Sequence, residues 1–186
     1  MKIGYLHMRI TMSGLPYAGK GELREPLAKV FGLQQFSVGD LRRLYAKGLG
    51  LTIEQLNTES EKDPIWDVKA DEYQKDWAQE NSNFLLEGRL SYHFIPDSIK
   101  LFLSVSDKVA AKRAQQAQRD SEHTYKTLRD RGMANRQRCT SDCIRYFNLY
   151  GIQNCYDEQH FDIIVNTDGL SKKEVLEETV RQIQEF

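Results

Sequence analysis

The chain has 186 residues, 40% hydrophobic and 28% charged, which suits one globular domain with a sizeable core. No apolar run approaches the ~18 residues of a membrane span, and the start MKIGYLHMRIT has no apolar signal-peptide stretch. A net charge of −1 argues against wholesale electrostatic attachment to nucleic acid or membrane, and three unevenly spaced cysteines suit a reducing cytosol; a cytoplasmic monomer with small-molecule partners is expected.

Short apolar runs alternate with longer helical patterns. MRITMSG (8–14) is predicted as a buried strand ending at glycine. ELREPLAKVFG (22–32) follows as a helix, with Leu23, Leu27, Val30 and Phe31 at helical spacing and Gly32 as its stop. LQQFSV (33–38) is a second short strand, and Gly39-Asp40 after it is expected to form a turn and helix cap. Residues 40–80 are predicted helical, with Thr52 and Gln55 spaced as a capping box. NFLLEG (83–88) and IKLFLSV (99–105) are buried strands separated by a short connection, and residues 107–149 are again helical. FDIIVNT (161–167) is a fifth strand, and Ser171 with Glu174 caps a final helix. Alternating strands and helices imply a parallel sheet covered on both faces, with ligands beyond the carboxyl ends of the strands.

Four stretches carry chemistry. GLPYAGKG has glycines at 14 and 19 and Lys20 at phosphate-loop spacing, directly between a strand and a helix. Such a loop aims backbone N–H groups and a helix N-terminus at phosphates, and the lysine neutralises them. FLLEGRL ends a buried strand on Glu87, a position suited to holding Mg²⁺ through water, and Arg89 follows within reach of an anion above the sheet. SVGDLRR places Arg42 and Arg43 early in a helix on different faces. RCTSDCIR puts Arg138, Asp142 and Arg145 at i, i+4 and i+7, on one helical face. Residues 107–145 hold ten Lys/Arg against five Asp/Glu, a balance of +5, while residues 54–72 hold seven acids against two lysines. Such segments in a neutral domain point to a local polyanion site or to two solvated helix faces. Cys139, Cys143 and Cys155 are odd in number and fit free thiols. With His160 they make a poor match to the loop-borne cysteine pairs of structural zinc, so no protein-held metal is expected.

Taken in order, MRITMSGLPYAGKG, FSVGDLRR, EKDPIWDVKADEYQ, FLLEGRL, RCTSDCIRYFNLYGI and FDIIVNTDGLS resemble the P-loop nucleoside monophosphate kinases, in particular archaeal-type cytidylate kinases. The resemblance implies an α/β fold: a P-loop NTPase three-layer sandwich with a five-stranded parallel sheet. The core is expected at 8–39, 83–106 and 136–186, a monophosphate-binding insert at 40–80 and a lid at 107–135. It implies transfer of the γ-phosphate of ATP, with Mg²⁺, to CMP or dCMP. Gly14, Leu15, Pro16, Tyr17, Ala18, Gly19, Lys20, Gly21 and Glu22 would then form the ATP site. Lys20 and Arg138, with Arg113 and Arg119 from the lid, would neutralise charge during transfer. Arg43, Arg89 and Arg145 would grip the acceptor phosphate. Asp142 would hold its ribose and Glu87 would line the same site. Asp67, with Asp63 and Asp71, would be a candidate for the base, because Leu90 stands where bacterial relatives carry an aspartate. Gly21 after Lys20 suits the G-K-G variant of the loop. Tyr17 replaces the glycine of G-x-P-G, and Glu22 replaces a hydroxyl residue near the expected phosphates. Those two departures leave open a non-catalytic nucleotide sensor, and fold alone leaves open another small-molecule kinase.

Overall fold

The computed structural model describes residues 7–116 and 127–186. Arg119 and the middle of the expected lid lie outside the described residues.

Five strands form one wholly parallel sheet: β1 (Arg9–Gly14), β2 (Gln34–Ser37), β3 (Phe84–Glu87), β4 (Ile99–Ser104) and β5 (Ile163–Asn166), side by side in the order β2-β3-β1-β4-β5. Helices α1 (Lys20–Phe31) and α8 (Lys172–Glu185) pack together on one face. The two-residue strand period decides what they cover. Ile10 and Met12, Leu85, Leu101 and Leu103, and Ile163 and Val165 point to that face and form the largest core cluster with Leu23, Leu27 and Val175. The alternate residues Phe84, Leu86 and Phe102 point to the other face.

That second face is covered by α2 (Val38–Gly48), α4 (Ile65–Glu80), the single turn α5 (Ser91–Phe94) and α7 (Leu128–Tyr150). α3 (Ile53–Lys62) stands farther out. It shares with α2 a small core of its own, Ala46, Ile53 and Leu56, against which Tyr45, Leu51 and Trp66 pack. α6 (Asp107–Gln116) packs on α7. No helix among the described residues is long and apolar enough to cross a membrane.

Both capping boxes form, at Thr52–Gln55 and Ser171–Glu174. Gly32 ends α1 in the left-handed conformation, its N–H bonded to the Ala28 carbonyl. Two local expectations are corrected. Val30 is 51% exposed, because the buried stripe of α1 runs through Leu23, Leu27 and Ala28. Gly39-Asp40 is not the cap of α2: the helix starts earlier, and the Ser37 hydroxyl accepts from the Asp40 N–H at 3.2 Å.

Candidate active site

The carboxyl ends of the strands converge on one loop. Gly14 closes β1 so tightly against β4 that a Cβ there would lie 2.4 Å from the Leu103 carbonyl oxygen. The chain then turns, with the Leu15 N–H bonded to that carbonyl, and enters α1 at Gly19, whose φ of 98° suits glycine. Lys20 begins the helix and its ammonium folds back over the loop, donating to the Gly14 and Leu15 carbonyls at 2.7 and 2.8 Å. Burial disfavours its charge, and the Arg89 guanidinium disfavours it further, so its pKa falls to about 7. Glu22 is exposed in the first turn of α1, where water screens it and the helix dipole suits a carboxylate.

A cleft of about 470 Å³ opens above this loop. Lys20, Glu87, Arg89 and Arg138 line one part of it, and Arg113, Thr167, Leu170 and Val175 line another. Arg113 does not point freely into the cleft as a lid arginine was expected to. It donates to the Thr167 hydroxyl and carbonyl at 2.9 and 2.7 Å and to the Tyr17 carbonyl at 3.3 Å, joining the ends of β5 and the loop. Glu87, at the end of β3, accepts from Arg24 at 2.9 Å; Arg24 also pairs with Asp40, which pairs with Arg43.

Deeper toward α2 and α7 lies a cavity of about 50 Å³, lined by Lys20, Arg43, Arg89, Arg138, Asp142 and Arg145 among others. The three arginines expected at the acceptor phosphate thus meet opposite Lys20. They are already engaged. Asp142, 3% exposed, accepts from Arg89, from Arg145 and, at 2.6 Å, from the Tyr156 hydroxyl. Burial alone would raise its pKa, yet Arg89, Arg145 and Arg138 hold it well below the usual carboxylate range. Arg138 keeps a buried Nε without a hydrogen-bond partner among the described residues.

Asp67 is placed differently from its expected role at the base. It is 2% exposed and does not line either cavity; Arg42 binds it from α2 and Arg145 donates to both its oxygens at 2.8 and 2.7 Å. Asp71 is buried as well, accepting from Tyr150 at 2.8 Å and Gln74 at 2.7 Å, and burial pushes its pKa up to about 7. Asp63 is exposed, at the end of α3, and accepts from the Ile65 N–H at 3.1 Å. The acidic segment is therefore partly an internal counter-charge, because two of its carboxylates neutralise or neighbour arginines brought from α2 and α7.

Sequence reasoning gave Arg42, Arg24, Tyr156 and Thr167 no place in the site. Arg24 carried a signal, lying four residues after Lys20 and so on the same side of α1. Arg42, 7% exposed, carried none beyond its position beside Arg43. Leu90 is buried beneath the site, among the aromatics Tyr92, Phe102 and Tyr156. The cysteines are free thiols, with the sulfurs of Cys143 and Cys155 3.8 Å apart. No group of three or more His, Cys, Asp or Glu among the described residues is arranged to hold a metal.

No protein-family model matches the chain. A cytidylate kinase of Haloquadratum walsbyi is 34% identical over 170 residues, covering 90% of this chain and 85% of that protein. The chain belongs to the cytidylate kinase family. It is a P-loop nucleoside monophosphate kinase by fold and sequence, and an ATP-dependent phosphotransferase. The membership speaks against a non-catalytic sensor, although the two departures that suggested one, Tyr17 and Glu22, stand in the loop. A shikimate kinase from Bacteroides thetaiotaomicron superposes with a TM-score of 0.63 at 17% identity, over 96% of each chain, and shows the same fold. A further relative is the S-adenosylmethionine-dependent nucleotide dehydratase of Lacinutrix mariniflava, 29% identical over 178 residues. The match covers 95% of this chain, which spans 36% of that longer protein.

Proposed function

We propose that this cytidylate kinase family member transfers the γ-phosphate of ATP to CMP or dCMP. The observation that carries the proposal is the meeting of Arg43, Arg89, Arg138 and Arg145 with Lys20 in one cavity, within a chain similar to cytidylate kinases. Residues Gly14 to Glu22 take the donor phosphates, with loop N–H groups and the α1 N-terminus facing them. The incoming phosphates draw Lys20 off its two carbonyls and favour its charged form. Arg43, Arg89 and Arg145 hold the acceptor phosphate, and Asp142 keeps Arg89 and Arg145 aimed at it. A ribose contact from Asp142 would compete with its present partners. Arg138, with its unpartnered Nε, faces the charge that develops between donor and acceptor. Phosphoryl transfer needs little covalent help, so the rate comes from positioning and electrostatics, and no enzyme-bound phosphate is needed.

Magnesium fits as a passenger on ATP. Glu22 and Glu87 both line the larger cleft, and Mg²⁺ typically binds through one or two carboxylates, water and the substrate's own phosphates. When bound it would neutralise phosphate charge. Residues of α2–α4 serve as the acceptor-side insert, and α6 with the start of α7 as the lid.

Base preference is read with a panel: CMP, dCMP, UMP, AMP and GMP with Mg-ATP, monitoring ADP. CMP or dCMP should give the highest kcat/KM. Equal or faster turnover with any other monophosphate would sink the cytidine assignment and leave the kinase class standing.

A further inference from the structure

Among the described residues, Tyr17 is the one non-glycine residue with positive φ, at 62°. A bulky side chain stays in that region only where its surroundings over-determine it. Here the surroundings include the main core cluster, against which Tyr17 packs, and two arginines from different helices. Arg113 of α6 donates to the Tyr17 carbonyl at 3.3 Å. The guanidinium of Arg131, 5% exposed at the start of α7, lies 5.8 Å from the centre of the Tyr17 ring. Arg131 also donates to the Ala114 carbonyl at 2.8 Å, tying α7 to α6. Arg113 ties the same unit to Thr167 beyond β5. One loop residue thus receives α6 through its backbone and α7 through its ring. A glycine would offer the first contact and not the second.

We propose that Tyr17 is a positioning residue that docks the paired helices α6 and α7 onto the phosphate loop. The loop conformation that meets the donor phosphates and the placement of α7, which carries Arg138, are then set together. The departure from glycine at this position becomes a structural link between the donor site and the helix bearing the transfer arginine. The inference rests on the kinase reading of the cleft.

The test compares wild type with Tyr17→Phe, Tyr17→Leu and Tyr17→Gly. Calorimetry measures binding of a non-hydrolysable ATP analogue and of CMP separately, and steady-state kinetics give KM for each. The phenylalanine variant keeps the ring face and should bind the analogue more tightly than the leucine variant does. Leucine and glycine should each weaken analogue binding and raise the KM for ATP by roughly tenfold, the loss expected when a partly buried cation–π contact disappears, and should lower kcat because α7 carries Arg138; CMP binding should weaken less than analogue binding. Glycine also relieves the backbone strain, so its melting temperature should hold, separating misplacement from unfolding. Arg131→Met should weaken analogue binding at least as much as Tyr17→Leu, because it also loses the Ala114 bond, and adding Tyr17→Leu to it should cause little further loss. A folded Tyr17→Gly protein that binds the analogue as tightly as wild type overturns the Tyr17 inference alone. A wild-type protein that binds neither nucleotide overturns the kinase reading, and the inference with it.

Discussion

On the donor side, Lys20 is held by two carbonyls of its own loop, beneath a cleft of about 470 Å³. On the acceptor side, Arg89 and Arg145 are held by carboxylates of α7 and α4, around a cavity of about 50 Å³. The donor site is thus shaped by backbone over a short stretch of chain. The proposed acceptor site is a self-neutralised set of side chains drawn from α2, α4, α7 and the segment just after β3. In the proposed reading, an acceptor phosphate competes with Asp142 and Asp67 for its arginines. The contrast suits a kinase that keeps water out of the transfer site: positive charge stays satisfied until the substrate arrives.

The largest effect should come from breaking the donor side. Lys20→Ala should lower kcat by ~100-fold or more, the scale on which a preorganised charge at a transition state acts. Steady-state assays at saturating ATP and CMP would show it, and unchanged turnover would remove Lys20 from the site. The acceptor side should break differently. Arg145→Met strips one arginine from both Asp67 and Asp142, and breaking a buried ion pair costs about 3–5 kcal/mol. Both the melting temperature and CMP affinity should fall while binding of an ATP analogue is kept. Loss of ATP binding and CMP binding together would erase the distinction between the two sides. The exposed pair Arg136–Asp107 serves as control, since such surface pairs contribute about 0–1 kcal/mol.

A pH series sharpens the comparison with smaller effects. Asp71 titrates near 7 when folded against an ordinary value of 3.8, so the folded state binds the extra proton between about pH 4 and 7. Stability from this group is full below pH 4 and is lost as pH rises through 7. Asp71→Asn should therefore be more stable than wild type above pH 7, with the difference shrinking toward pH 4 in denaturant titrations. A pH-independent difference would show that burial does not perturb Asp71. Lys20 behaves oppositely. Its folded pKa of about 7 lies below the ordinary 10.5, so the unfolded state binds the extra proton and stability rises with pH across that window. Binding of ATP should return the proton. Calorimetry at pH 8 in buffers of differing ionisation enthalpy should show uptake of a fraction of a proton per ATP, absent in Lys20→Ala. No buffer dependence in the wild type would contradict the depressed lysine.

What was legible in the sequence was mostly local. The glycine spacing around Lys20, the two capping boxes and the period-two strands each depend on residues a few positions apart, and each formed as expected. The face holding Arg138, Asp142 and Arg145 was legible for the same reason. Arg42 and Asp67 were not, because the burial of a charge is decided by its partner. Asp67 read as a base contact, or as one acid in a solvated run, whereas α2 and α7 each bring an arginine to it. Arg113 lines the larger cleft, but its anchors were not legible: it is held by Thr167 and the loop, contacts 54 and 96 residues away that spacing alone does not encode. Tyr17 was visible as a departure from glycine, but its partner Arg131 was not.

The central claim is transfer of phosphate to a cytidine monophosphate, and following the phosphate itself tests it most directly. With ATP labelled at the γ-phosphate, Mg²⁺ and CMP or dCMP, the label should appear in the β-phosphate of CDP or dCDP. It should not appear on the protein. Label released only as inorganic phosphate, or retained in ATP while both nucleotides are bound, would contradict the account.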